Sequence, residues 1–288
     1  MSKLNISGSI GYIYLSDNKN KVLILSDMHS ELPYCKENSE FVSKWMQRKY
    51  NSKILLEEVP RIGSTLKELW PSSPHTQKLK ELYISSKVID GVDIRPFLLP
   101  FSWELLFDKE LNQKDKNKLK EVFLYKYLSL INEFFKLKHK YFLKNIGRVY
   151  TKDYLKKSVL GEHFLEIKSK VKDFVKVNEL VMNNKIIKLD PSILEKINEI
   201  ISLIMEWYII AKIYQGQEEN IHSFIIHAGL AHTSNIKANL ITFYKFKVQD
   251  SNGIIDLNEA NDNTNGCLKL PSEIDKQFGG RFNSLGIF

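Results

Sequence analysis

Two short apolar runs, near opposite ends of the chain, each stop at a histidine turn. Val22-Leu23-Ile24-Leu25 runs into Ser26-Asp27-Met28-His29-Ser30-Glu31, and Ser223-Phe224-Ile225-Ile226 runs into His227-Ala228-Gly229-Leu230-Ala231-His232. Uninterrupted, β-branched runs of this length fit strands buried on both faces, as in a parallel sheet. Ligands of open α/β sheets gather beyond the carboxyl ends of such strands. Two distant segments can therefore deliver imidazoles to one crevice.

The rest of the chain supports an α/β reading, with a mixed, mostly parallel central sheet flanked by helices. Residues 10–16 and 21–26 read as a hairpin around a polar turn, 37–50 as a helix, 53–57 as a strand stopped by Pro60, 75–87 as a helix and 88–93 as a short strand. From about residue 103 the period changes to that of long amphipathic helices: 116–144, 151–181 and 191–214, the last with Asp190 as N-cap before Pro191. A strand at 222–227, a helix at 231–239 and a strand at 240–248 then resume the sheet pattern. The expected organisation is a discontinuous α/β core (1–102 and 221–250), an all-helical insertion between the early and late strands (103–220), and a loop with an irregular C-terminal tail (251–288). Val22–Leu25 belongs at the centre of one continuous sheet.

Composition narrows the function classes. The chain has 288 residues, 42 basic against 34 acidic side chains, and a net charge of +8. Only five basic residues are arginines (Arg48, Arg61, Arg95, Arg148, Arg281). The lysines are interleaved with acids, as on solvated helix faces, and no nucleic-acid-binding signature is present, so no specific nucleic-acid binding is expected. No stretch has the apolar length of a membrane span and the N-terminus has no signal pattern. Cys35 and Cys267 are too few for a disulfide framework and sit in no CxxC pair, so a reducing, cytoplasmic compartment is expected.

Four segments carry chemistry. Asp27, His29 and Glu31 share a face if the chain stays extended, so a carboxylate can orient His29 or join it on a metal; the alternative is a polar turn. Glu57 and Glu58 end a strand and point to opposite sides, so only one faces the crevice; Glu57 is chosen as nearer the regular strand, with Glu58 or Arg61 in support. Asp93 and Arg95 lie two apart, either as an anion-binding arginine with its partner or as a local ion pair before Pro96. In the late motif, Gly229 permits a tight strand-to-helix turn whose amides suit an anion. His227 stands at the strand end and His232 in the first helical turn. His139, within Lys-His-Lys, reads as solvated, and Trp207 and Tyr208 read as core.

These segments resemble the TraB/Tiki/ChaN-like superfamily, which includes erythromycin esterase-like proteins. That family has a GxxH or GExH strand-end turn, a strand ending in glutamate, an arginine or aspartate after another strand, and a late GxxH turn. The matching residues are Ser26-Asp27-Met28-His29, Leu56-Glu57-Glu58, Asp93-Ile94-Arg95 and Gly229-Leu230-Ala231-His232. Ser26 stands where the first turn of the family has glycine. The resemblance implies a sheet with helices and a helical insertion. The activities it implies are Tiki-like metal-dependent proteolysis, erythromycin esterase-like hydrolysis through histidine and glutamate, or ChaN-like haem binding. The lysine- and asparagine-rich style also resembles that of large DNA virus proteins, which would place the chain in the host cytoplasm or virion.

Three functions follow as expectations. The first is a hydrolase of small-molecule or peptide substrates. His29, His232 and Glu57 would sit around a divalent metal such as zinc or manganese, or work on water without one, with Glu58 or Arg95 assisting. The second is a non-catalytic ligand-binding or virion interaction protein on the same scaffold. The third and weakest is a calcineurin-like phosphoesterase, suggested by Asp27-Met28-His29 but lacking the GDxxD and GNH motifs.

Overall fold

A computed structural model of the chain describes residues 3–28, 34–36, 38–49, 51–57, 78–79, 89–101, 105–106, 109–183, 191–261 and 264–279, with side chains of 178–183 and 191 set aside. It is a mixed α/β protein in two compact units. One holds the strands; the other is Asp93–Gln215.

The α/β unit begins with β1 (Lys3–Ser7), β2 (Gly11–Ser16), β3 (Lys21–Asp27), β4 (Ser39–Phe41) and α1 (Val42–Gln47). It continues with β5 (Lys53–Leu56) and β6 (Ile89–Gly91). The expected hairpin is present: β2 and β3 pair antiparallel, and Asp17 closes the turn by accepting the Lys19 and Asn20 amides at 2.7 and 2.6 Å. The described part of the expected 37–50 helix is shorter, because Ser39–Phe41 forms a strand instead.

In the helical unit the first helix is α2 (Arg95–Leu98). The expected helix over 116–144 is two, α3 (Gln113–Phe135) and α4 (Lys140–Ile146). The break is a left-handed residue, Leu137, at φ 59°. The Leu137 and Lys138 amides turn back onto the Phe134 and Glu133 carbonyls, as at glycine-ended helices. With leucine in place of glycine, this stop has no sequence signature. Then come α5 (Lys152–Leu155), α6 (Val159–Asn183) and α7 (Pro191–Glu218), close to the expected ranges; Asp190 lies outside the described residues. The core of this unit is aromatic. Phe134 lies 4.6 to 5.7 Å, centroid to centroid, from Phe142, Phe164, Trp207 and Tyr150. Trp207 and Tyr208 are buried as expected. His139 is not solvated: it is 5% exposed, and its Nε2 lies 3.1 Å from the Phe97 carbonyl.

The chain returns to the α/β unit through β7 (Ser223–Gly229), α8 (Leu230–Thr242) and β8 (Lys247–Gly253). The expected strand at 240–248 starts later. Leu230, Thr233, Ile236 and Leu240 recur at helical spacing on the buried face of α8, and this packing overrides the β-branched residues that follow. Within 251–288, read as irregular, the structure builds β9 (Cys267–Pro271) and α9 (Ser272–Phe278).

Six strands form one sheet in the order β6-β5-β7-β3-β2-β8, so early and late strands are continuous and β3 is interior. Pairings β6–β5, β5–β7 and β7–β3 are parallel; β3–β2 and β2–β8 are antiparallel. A second sheet, β4-β1-β9, covers one face of the first. Ile6, Leu268 and Leu270 from it, with Trp45, Ile274 and Phe278, pack on Leu23, Leu25, Leu56 and Ile225. Helix α8 lies on β3 and β7, and Ser26 Oγ and Thr233 Oγ1 meet at 3.0 Å.

Cys35 and Cys267 form a disulfide across 232 residues, with Cα atoms 4.7 Å apart. It ties the segment before β4 to β9. A single bond between two isolated cysteines leaves no spacing pattern to read.

Candidate functional site: a buried glutamate between a helix N-terminus and a histidine

Parallel pairing puts the carboxyl ends of β3, β5 and β7 on one edge. The registers are Leu56 to His227 and Asp27 to Gly229. Glu57 follows β5 directly, and its amide donates to the His227 carbonyl at 3.0 Å, so its backbone is held to β7. Glu57 therefore shares a sheet face with Leu55 and Ala228, the face that α8 covers.

Gly229 is the N-cap of α8, with φ −58° and ψ 147°. This is ordinary extended backbone, so the turn does not require glycine for its dihedral angles. The Gly229 amide donates to Glu57 Oε2 at 2.6 Å. The anion expected at this helix N-terminus is thus the chain's own carboxylate, favoured there by the helix dipole and the orphan amides. The second oxygen, Oε1, lies 3.6 Å from Nε2 of His232, the third residue of α8. Glu57 is 3% exposed and the His232 side chain 12%, so the carboxylate is shut away while the ring keeps an open side.

Asp27 and His227 are both buried and belong to the opposite face, under the second sheet. His227 is an interior residue of its strand, not its end: it is fully buried, paired to Leu25 and Leu56, with Nε2 3.5 Å from the Gly8 carbonyl. Asp93 and Arg95 sit in the helical unit, where the guanidinium forks onto the carboxylate (Nε to Oδ1 2.8 Å, one terminal nitrogen to Oδ2 2.9 Å). An ion pair between them is present, with Arg95 1% exposed. His29, Glu31, Glu58 and Arg61 lie outside the described residues.

Sequence reasoning missed the supports of the dyad. Ser26 uses its hydroxyl to tie the end of β3 to Thr233, one residue beyond His232. Asp256 accepts from Ser234 at 3.0 Å and from Lys237, fixing the outer side of α8; these contacts draw its carboxyl below the ordinary range, Lys237 foremost. Neither role has a sequence signal, because both partners are polar residues far apart in the chain.

No protein-family model, curated protein or solved structure matches this chain. Among the described residues, no three histidine, cysteine or carboxylate side chains converge as metal ligands, and no helix is long and apolar enough to cross a membrane.

Proposed function

We propose that the chain is a hydrolase in which His232 acts on water as general base and Glu57 positions it. The observation that carries this reading is the double use of the Glu57 carboxylate: one oxygen is pinned by the Gly229 amide and the other faces the His232 ring. Nε2 is turned to the carboxylate, and the nitrogen assigned to proton transfer is Nδ1. It takes a proton from a water at the carboxyl edge of the sheet, and the imidazolium that forms is steadied by the charge on Glu57. The proton returns to the leaving group through the same nitrogen. Because Oε2 is already anchored, the carboxylate needs no reorganisation while this happens.

The resemblance to TraB/Tiki/erythromycin esterase-like proteins supports the same reaction class, with a small-molecule or peptide substrate. A divalent metal would need His29 beside His232 and Glu57. The described residues provide two donors, one of them a carboxylate with an oxygen already committed to an amide, short of the three protein ligands of a catalytic zinc site. No step is therefore derived through a metal. Haem draws no support from His227, whose ring is enclosed between two sheets.

The test is a screen of esters, peptides and phosphoesters, each with and without added zinc or manganese. A substrate should be found for which His232→Ala and Glu57→Gln each lower kcat by roughly 100-fold or more, the scale of general-base catalysis. A substrate turned over at the parental rate by both variants removes the dyad from catalysis. If no substrate is found in any class, the reading of a non-catalytic binding or interaction protein takes its place.

A further inference from the structure

The helical unit carries a feature that the dyad does not use. Between α3 and α6 runs an open groove of about 530 Å³. Its floor is apolar: Phe135 from α3, and Leu165 and Val175 from α6, with Leu165 62% exposed. Leu165 is among the most exposed large apolar side chains of the described residues, and it stands beside other apolar lining. Lys168, Lys172 and Lys176 line the same groove.

The lysines are placed at i, i+4 and i+8, so they form one row along α6, about 12 Å from first to last at 1.5 Å per residue. Like charges at this spacing oppose the helix that carries them. On the same helix Lys170 does pair with Glu166 at i, i+4. The row in the groove has no such compensation among the described residues, and Asp173, three residues before Lys176, makes no ion pair with it. The groove thus pairs an apolar floor with a row of three lysines that make no ion pair among the described residues.

We propose that this groove is the docking site for an acidic amphipathic helix of a partner protein. Apolar residues of the incoming helix seat on Phe135, Leu165 and Val175, and Asp or Glu at every fourth position face Lys168, Lys172 and Lys176, the helix-in-groove mode of recognition. Charge complementarity selects this occupant. Three cations in a line match a ladder of carboxylates, whereas a single-headed amphiphile such as a fatty acid neutralises one of them. The steering charge favours encounter and partner choice, and the apolar floor supplies the buried area.

The experiment uses the full chain and a fluorescein-labelled helical peptide of alanine and leucine, with glutamate at i, i+4 and i+8 beside the leucine stripe. Anisotropy should show binding that weakens with salt, falls at least 10-fold for the glutamine counterpart of the peptide, and falls at least 10-fold for the K168E/K172E/K176E protein. A peptide with lysine in place of glutamate should bind that triple variant better than the parent. Leu165→Asp, at an exposed position, should lose binding without lowering Tm, which separates docking from folding. The proposal is overturned if the acidic and glutamine peptides bind alike, if the triple variant binds the acidic peptide as well as the parent does, or if 12-(9-anthroyloxy)stearate binds in a Leu165-dependent way while the peptide does not. Its outcome is independent of the dyad, since every substitution lies in the helical unit.

Discussion

The two units bury polar groups by different means. In the α/β unit, Glu57 is buried because backbone geometry carries it there: a parallel register delivers it to the Gly229 amide, and that amide satisfies it. In the helical unit, His163 and His139 are buried in the packed interior, His139 against the Phe142 ring, and burial pushes both imidazoles down, His163 to about 4. The first kind of burial gives an acid a hydrogen-bond donor and aims its other oxygen at a neighbour. The second suppresses a charge. Chemistry is therefore expected from the strand edge, and pH-sensitive stability from the helices.

The largest effect tests how far aromatic packing carries the helical unit. Phe134 touches five other rings and is fully buried. Phe134→Ala should cost about 3–5 kcal/mol, the range for deleting a buried phenylalanine, read as a fall in the midpoint of urea unfolding. A cost near 1 kcal/mol would mean that the ring cluster is not what holds these helices.

In the α/β unit the matching covalent element is Cys35–Cys267. Closing so long a loop restricts the unfolded chain, and its removal should cost about 2–4 kcal/mol. Cys35→Ser, or reduction, should lower Tm, and intact mass after alkylation without reductant should show no labelled thiol. Two labelled cysteines in the folded protein would remove this bond.

Much of the strand edge was legible. Val22–Leu25 and Ser223–Ile226 read as central strands because burial on both faces leaves no polar alternation, and strand termini fix where Glu57 and His232 meet. What stayed hidden depends on contacts between distant segments. Strand β1 and strand β9 are short, half-polar and paired across 265 or so residues, which is about the reach of the whole chain and gives no local period. Strand β8 is an exposed edge, rich in turn-forming residues, and is a strand only because β2 supplies the ladder. At its end, Gly253 takes φ 77° and Gly11 lets the Ile254 carbonyl approach where a Cβ would stand 2.1 Å away. His139 misled because its flanking lysines are exposed, while a histidine between them can turn inward at a helix start.

His163 makes the helical unit sensitive to acid. Desolvation lowers its imidazole from 6.5 to about 4, with Glu166 opposing and Lys170 reinforcing the shift. Unfolding between these values takes up a proton, so stability is fully present above pH 6.5 and is lost as the pH falls towards 4. The loss should reach about 3 kcal/mol at 1.36 kcal/mol per pH unit. Denaturant midpoints at pH 7, 5.5 and 4.5 measure it, and His163→Gln should flatten the slope in this window. A slope unchanged by the substitution would assign the acid sensitivity elsewhere.

The smallest stability effect is expected where the largest effect on rate is. Glu57→Gln keeps a carbonyl oxygen for the Gly229 amide and removes only the charge. The amide was the bond that made burial of this side chain tolerable, so the fold should lose about 1 kcal/mol or less, the net scale of a single hydrogen bond. Glu57→Ala removes the acceptor as well, leaves a buried amide unsatisfied, and should cost about 1–3 kcal/mol. The two substitutions thus separate the roles that one carboxylate combines: anchoring the strand-to-helix turn through Oε2 and facing His232 through Oε1. If thermal melts show that Glu57→Gln is as damaging as Glu57→Ala, the charge itself is holding the α8 N-terminus. Glu57 would then belong with the buried groups that serve the fold, and the contrast between the two units would fail at its most important residue.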